Sequence, residues 1–330
     1  MSKVVSFLNK QKFVILFVVI IGIIVFLPVM INPDNFLIIN NDTAAHLKVF
    51  EAMKDGNVNT AYLGQKITGY LMIWSEKVTR VNIETLFMIF NFGCLFLGGL
   101  FIGILVMIIT KNKFIAMITV PTMIFGVGAT MHLFESGTIF NLIEYLILLP
   151  IGIGLVFVCI SKRKYWLIPI IIIMGVLLFF FHPSFGSGVK YLIRSTSYSE
   201  STISIIEATV TFFGIANMIA LLFCLFIYFK DRMKERASMK VVIATLITVL
   251  SIAMYICSAL GITSFPSRFA INASLLIGIA LCLWLGMTVS KKNNKIVNCS
   301  LISLVAIGIV PNLINWFNWS SLYNPERGAF

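Results

Sequence analysis

Charge is what this chain has least of. Asp, Glu, Lys and Arg make up 12% of its 330 residues, where a soluble domain carries about a quarter. Acids are scarcer still, 13 against 25 basic residues, for a formal net charge of +12. The excess does not point to nucleic acid, because the basic residues are scattered between apolar runs rather than gathered on one face. The six cysteines form no CxxC pair and mostly lie inside apolar runs, which argues against a disulfide framework or a zinc site. There is no Gly-rich phosphate loop, no GxSxG, no HExxH and no heptad seam. Neither an internal repeat nor a separate soluble domain is visible.

Apolar sequence fills the remainder: 59% hydrophobic residues and a mean hydropathy of +0.99. This composition predicts a single, all-α integral membrane domain over residues 1–330. Runs at 12–32, 84–110, 113–131, 138–160, 165–181, 203–229, 240–260, 269–290 and 296–317 predict about nine spans at about 20 residues each. Pro121 and Pro169 are expected to kink the third and fifth. Lys3, Lys10 and Lys12 precede the run Phe13–Met30, which is too long for a signal-peptide core and has no Ala-x-Ala cleavage site, so it reads as a retained first span.

With the N-terminus cytoplasmic, alternate loops hold Lys111 and Lys113, the Lys162–Lys164 cluster, the five basic residues from Lys230 to Lys240, and Lys291, Lys292 and Lys295. Most basic residues then lie inside and the C-terminus lies outside. The same sorting puts all three histidines, Asp42, Glu135 and Arg268 on the outer side. The tail 318–330 is outer too and holds a glycosylation sequon, Asn318-Trp319-Ser320.

The first outer loop, 33–83, is the richest in polar groups. His46, Leu47, Val49, Phe50 and Met53 recur at helical spacing before Gly56, predicting a short amphipathic helix with Asp42 in its first turn. His46, four residues on, shares the face of Asp42. The pair is either a reactive acid and imidazole or a helix cap and an interface residue. A second amphipathic segment carries a stripe of Leu63, Ile67, Tyr70, Leu71, Trp74 and Val78, opposed by Gln65, Lys66, Ser75, Glu76, Lys77 and Arg80. A helix lying in the membrane interface and a helix packed on the bundle roof fit it equally.

Other candidates follow in order. Glu144 lies about 9 Å inside its span, where an ionisable group faces a cavity or a partner. Asn141, His132 and Glu135 extend a polar patch from it to the outer rim. His182-Pro183 ends the fifth run, and Lys190 and Arg194 follow, suited to a phosphate or to lipid headgroups. Arg268, an outer arginine, suits a phosphate or a salt bridge to an outer acid.

Asn41-Asp42-x-x-x-His46 after one span, followed by Tyr62-Leu63-Gly64 on an interfacial helix, resembles the GT-C superfamily of polyprenyl-phosphate-dependent glycosyltransferases. Glu135-Ser136-Gly137-Thr138-x-x-Asn141, His182-Pro183 and Ser267-Arg268-Phe269 are similar to elements of its prokaryotic members. The resemblance implies a GT-C-like bundle, with Asp42 as catalytic base or as ligand to a divalent cation, Mg or Mn. Asn41 stands where a second acid would favour the metal, so metal use stays open. It further implies a sugar donor on a polyprenyl phosphate, entering from membrane lipid and passing its sugar to an envelope acceptor. Asp42 and His46 would be catalytic. Arg268, Lys190, Arg194, Glu144, His182, Glu135, His132 and Asn141 would bind substrate. The competing expectations are a transporter or lipid-linked-glycan flippase, which should show interrupted helices and two matching halves, and a non-catalytic subunit of an envelope-assembly complex. The sequence shows neither interruption nor halves.

Overall fold

The computed structural model describes residues 2–31, 41–58, 61–181, 202–230, 238–262, 266–291 and 294–321. Every regular element among them is helical, as a chain in lipid requires if its backbone groups are to be paired within each segment. In order they are α1 Ser2–Ile31, α2 Asn41–Lys54, α3 Leu63–Thr79, α4 Ile83–Thr110, α5 Lys113–Gly126, α6 Gly128–Glu135, α7 Ile139–Ser161, α8 Tyr165–Phe181, α9 Ile205–Phe213, α10 Ile215–Lys230, α11 Met239–Ala259, α12 Pro266–Lys291 and α13 Lys295–Ser321.

Six of these are long and apolar enough to cross a membrane, and two bent pairs, α5/α6 and α9/α10, raise the number to as many as eight. The chain is thus a multi-pass helical membrane protein. The expected count of nine is not reached because α8 falls short of a span. Pro169 sits in the first turn of its helical run, where a missing N–H costs little.

At the centre stands α12, with 94% of its apolar window buried. It is flanked by α11, α10 and α4, while α1 and α13 lie at the rim. Hydrophobicity does not draw helices together in lipid, so close fit and internal polar satisfaction must. Thr110, Thr119, Thr248 and Ser251 each donate to the carbonyl one turn back. Trp284 Nε1 donates to Thr248 Oγ1 at 3.1 Å, joining α12 to α11, and Trp316 Nε1 donates to the Ile24 carbonyl at 2.9 Å, holding α13 to α1.

Two apolar helix pairs are sharply bent at a break, contrary to the uninterrupted helices expected. α5 and α6 meet at 52°, and α9 and α10 at 101°. Each first half ends in a π-helical turn, Thr122–Gly126 and Thr209–Phe213, just before the break. At the second break Gly214 takes φ +92°, open to glycine without strain. The freed carbonyls share one donor: Asn217 Nδ2 reaches Gly126 O at 2.7 Å and Phe213 O at 2.9 Å. Asn312 Nδ2, on α13, holds Phe125 O at 2.7 Å. The two bends therefore meet at a polar knot inside an apolar bundle. Gly308 abuts it so closely that a Cβ there would lie 2.7 Å from Asn217 Oδ1.

Candidate functional site

α2 and α3 form a roof over one end of the bundle. α2 runs from Asn41 to Lys54 and stops at Gly56, which takes φ +83°, as its spacing predicts. Phe50 and Met53 are buried beneath it, and Met53 lies against Gly69 of α3. α3 turns Gly64, Gln65, Thr68, Gly69 and Met72 inward. Gln65, expected on a water-facing side, is thus buried. Gly64 is seated hard on the bundle: a Cβ there would lie 2.6 Å from the Phe181 carbonyl and 3.1 Å from the Phe140 ring. A backbone oxygen cannot swing aside. Gly64→Ala is therefore expected to lift the roof and cost about 1–3 kcal/mol, seen as a lower unfolding midpoint and faster proteolysis of the first loop.

His46 hangs from α2 into this roof, 9% exposed. Its ring meets Phe140 edge-on at 4.7 Å and Phe87 at 6.2 Å. Gln65 fixes its protonation. The Tyr62 backbone N–H donates to Gln65 Oε1 at 3.3 Å, so Gln65 presents its amide nitrogen to His46 Nδ1 at 3.0 Å. An amide nitrogen only donates, so Nδ1 accepts and the ring proton sits on Nε2.

Burial pushes His46 down to about 4 from an ordinary 6.5, outweighing the opposite pull of the Asp42 carboxylate. The folded ring is therefore neutral at pH 7, and its contribution to stability is whole above about pH 6.5. That contribution is lost as the pH falls from 6.5 toward 4, because the unfolded chain binds the proton first. Wild type should lose on the order of 2–3 kcal/mol more than His46→Gln across that window, measured as unfolding midpoints at the two pH values.

Asp42 is exposed in the first turn of α2. Tyr62, half-buried, stands at the start of α3 and faces the membrane helix α7. Burial, then the Asp42 and Glu144 carboxylates, hold its phenol well above the usual range. Its ring meets Phe140 edge-on at 5.4 Å. Glu144 is 0% exposed, within the π-helical stretch Ile143–Leu148 of α7. Neither of its oxygens has a hydrogen-bond partner among the described residues. Asn141, one turn before it, is buried as well.

The structure therefore brings Asp42, His46, Asn141 and Glu144 to one region, and adds Tyr62, Gln65 and Phe140. Tyr62 and Gln65 were legible only as the start of an amphipathic helix, and nothing in their spacing marks them as partners of His46. His132 goes elsewhere: its exposed ring leans on Phe212 of α9 at 5.3 Å. Glu135 and Arg268 are exposed, at the end of α6 and in the first turn of α12. His182, Lys190 and Arg194 lie outside the described residues.

Among the described residues no three His, Cys, Asp or Glu side chains stand close enough to hold a metal ion. Chemically, the cluster offers an accessible carboxylate, a neutral imidazole with its proton on Nε2, a phenol and a sealed second carboxylate. Compared with family models, curated proteins and solved structures, the chain matches none.

Proposed function

We propose that this protein is a GT-C-like transferase at the outer face of a prokaryotic plasma membrane, moving a sugar from a polyprenyl-phosphate donor to a hydroxyl of an envelope acceptor. One observation carries the reading: His46, one turn after Asp42 on α2, packs edge-on at 4.7 Å against Phe140, which stands one turn before Glu144 on the membrane helix α7. A water-facing base and a lipid-embedded polar group thus converge, as a reaction between a soluble acceptor and a lipid-borne donor needs. Asp42 removes the acceptor proton. The acceptor oxygen bonds to the sugar's anomeric carbon, and that carbon's bond to the phosphate oxygen breaks, releasing polyprenyl phosphate. His46, with Nδ1 already accepting, takes no proton there and presents Nε2–H as a donor. Arg268, Lys190 and Arg194 are assigned to the departing phosphate. Glu144 orients the sugar once the roof of α2 and α3 lifts, since in the closed form no surface of its oxygens is open.

A second reading is favoured by the two bent helix pairs and their shared knot. Interrupted helices near mid-membrane are a device of transporters, so a lipid-linked-glycan flippase is the competing assignment. Purified protein in vesicles with a fluorescent polyprenyl-phosphate sugar separates the two. A transferase releases polyprenyl phosphate when an acceptor is supplied. A flippase moves the intact donor between leaflets and releases none, and a non-catalytic subunit does neither.

A further inference from the structure

α3 has two faces with different fates. Its inward face is used up against α2 and the bundle, whereas Leu63, Ile67, Tyr70, Leu71, Trp74 and Val78 stay uncovered, Trp74 61% exposed. At 3.6 residues per turn these six fall within an arc of about 100°, opposite the buried face. Lys66 and Lys77 fall together on one edge of that arc, about 20° apart. The one acid of the helix, Glu76, is taken by Lys54 at 2.7 Å. Lys66, Lys77 and Arg80 have no acidic partner among the described residues. The helix holds too few apolar residues to cross a bilayer and too many to face water.

We propose that α3 lies along the bilayer surface, its six-residue stripe sunk to the boundary of headgroups and acyl chains, with Lys66, Lys77 and Arg80 bound to anionic lipid headgroups. The occupant is lipid rather than a protein partner on grounds of charge: an apolar stripe edged on one side by unpaired basic residues matches an anionic interface, and long lysine stems let the ammonium reach phosphates beside the helix while the stripe stays buried. Tyr and Trp within the stripe are the side chains that settle at headgroup depth. This holds whichever reaction the chain performs.

The test uses the full chain in vesicles and isolates Trp74 as the fluorescence difference between wild type and Trp74→Phe, a mild change at an exposed position. The signal is expected to be quenched more by lipids brominated high in the acyl chain than by lipids brominated near its end, and barely by aqueous iodide. Brominated phosphatidylglycerol should outcompete brominated phosphatidylcholine at Trp74, by up to about five-fold per lysine. The double variant Lys66→Gln/Lys77→Gln should lose that preference and keep the depth profile. Quenching by iodide instead of bromine overturns the proposal by placing the stripe in water. Quenching by neither overturns it by placing protein on the stripe. Equal quenching of wild type by the two headgroups overturns the anionic assignment.

Discussion

Supplied with a lipid-linked sugar and an acceptor, Asp42→Asn should turn over about 10²–10⁴ times more slowly than wild type, the range of a lost general base. The comparison is clean because the structural cost is small. Asp42 is exposed in the first turn of α2, where a carboxylate contributes about 0.3–1 kcal/mol through the helix dipole. A rate loss of two to four decades corresponds to about 2.7–5.5 kcal/mol, which no fraying of one surface helix supplies. Unfolding midpoints should barely move. Equal rates for the two proteins, per folded molecule, would remove Asp42 as the base and leave the flippase reading ahead.

The largest effect on stability is expected at Asn217. Asn217→Ala takes one donor from two buried carbonyls, Gly126 O and Phe213 O. A typical hydrogen bond between membrane helices contributes about 0.6 kcal/mol, but an orphaned buried acceptor costs about 1–3 kcal/mol. With two of them at adjoining breaks, where no helical N–H can substitute, the loss should reach about 2–4 kcal/mol. Detergent-denaturation curves in bicelles measure it. Asn312→Ala, which frees Phe125 O alone, should cost about half as much. Equal losses at the two positions would mean that the knot does not depend on the shared donor.

How far the sequence could be read depended on whether the signal was local. α2 was legible, because its apolar spacing, Asp42 and Gly56 all lie within one short stretch. Glu144 was legible as an ionisable residue within an apolar run. Gln65 was not: its partner His46 is 19 residues away on another helix, and helical periodicity carries no information on which faces meet. The breaks escaped for a different reason. Residues 209–230 carry no charge before Lys230 and one amide, Asn217, and hydropathy reports what a segment dissolves in, never its direction. Gly214 supplied a hint, but a glycine in a membrane helix is common enough to pass unremarked. The stripe on α3 was visible, with its two possible surroundings left open. Only the packing of Gly64 and Gly69 showed which side was already taken.

The amide of Asn217 is a clasp on two bent rods at once. Straightening the first would carry Gly126 O away from that amide, and straightening the second would carry the amide away from Gly126 O. The two elbows are therefore geared together, and Gly308 is the tooth space that lets the third helix ride against them. A movement at either elbow therefore strains the same contact, although the two bends are far apart in the chain.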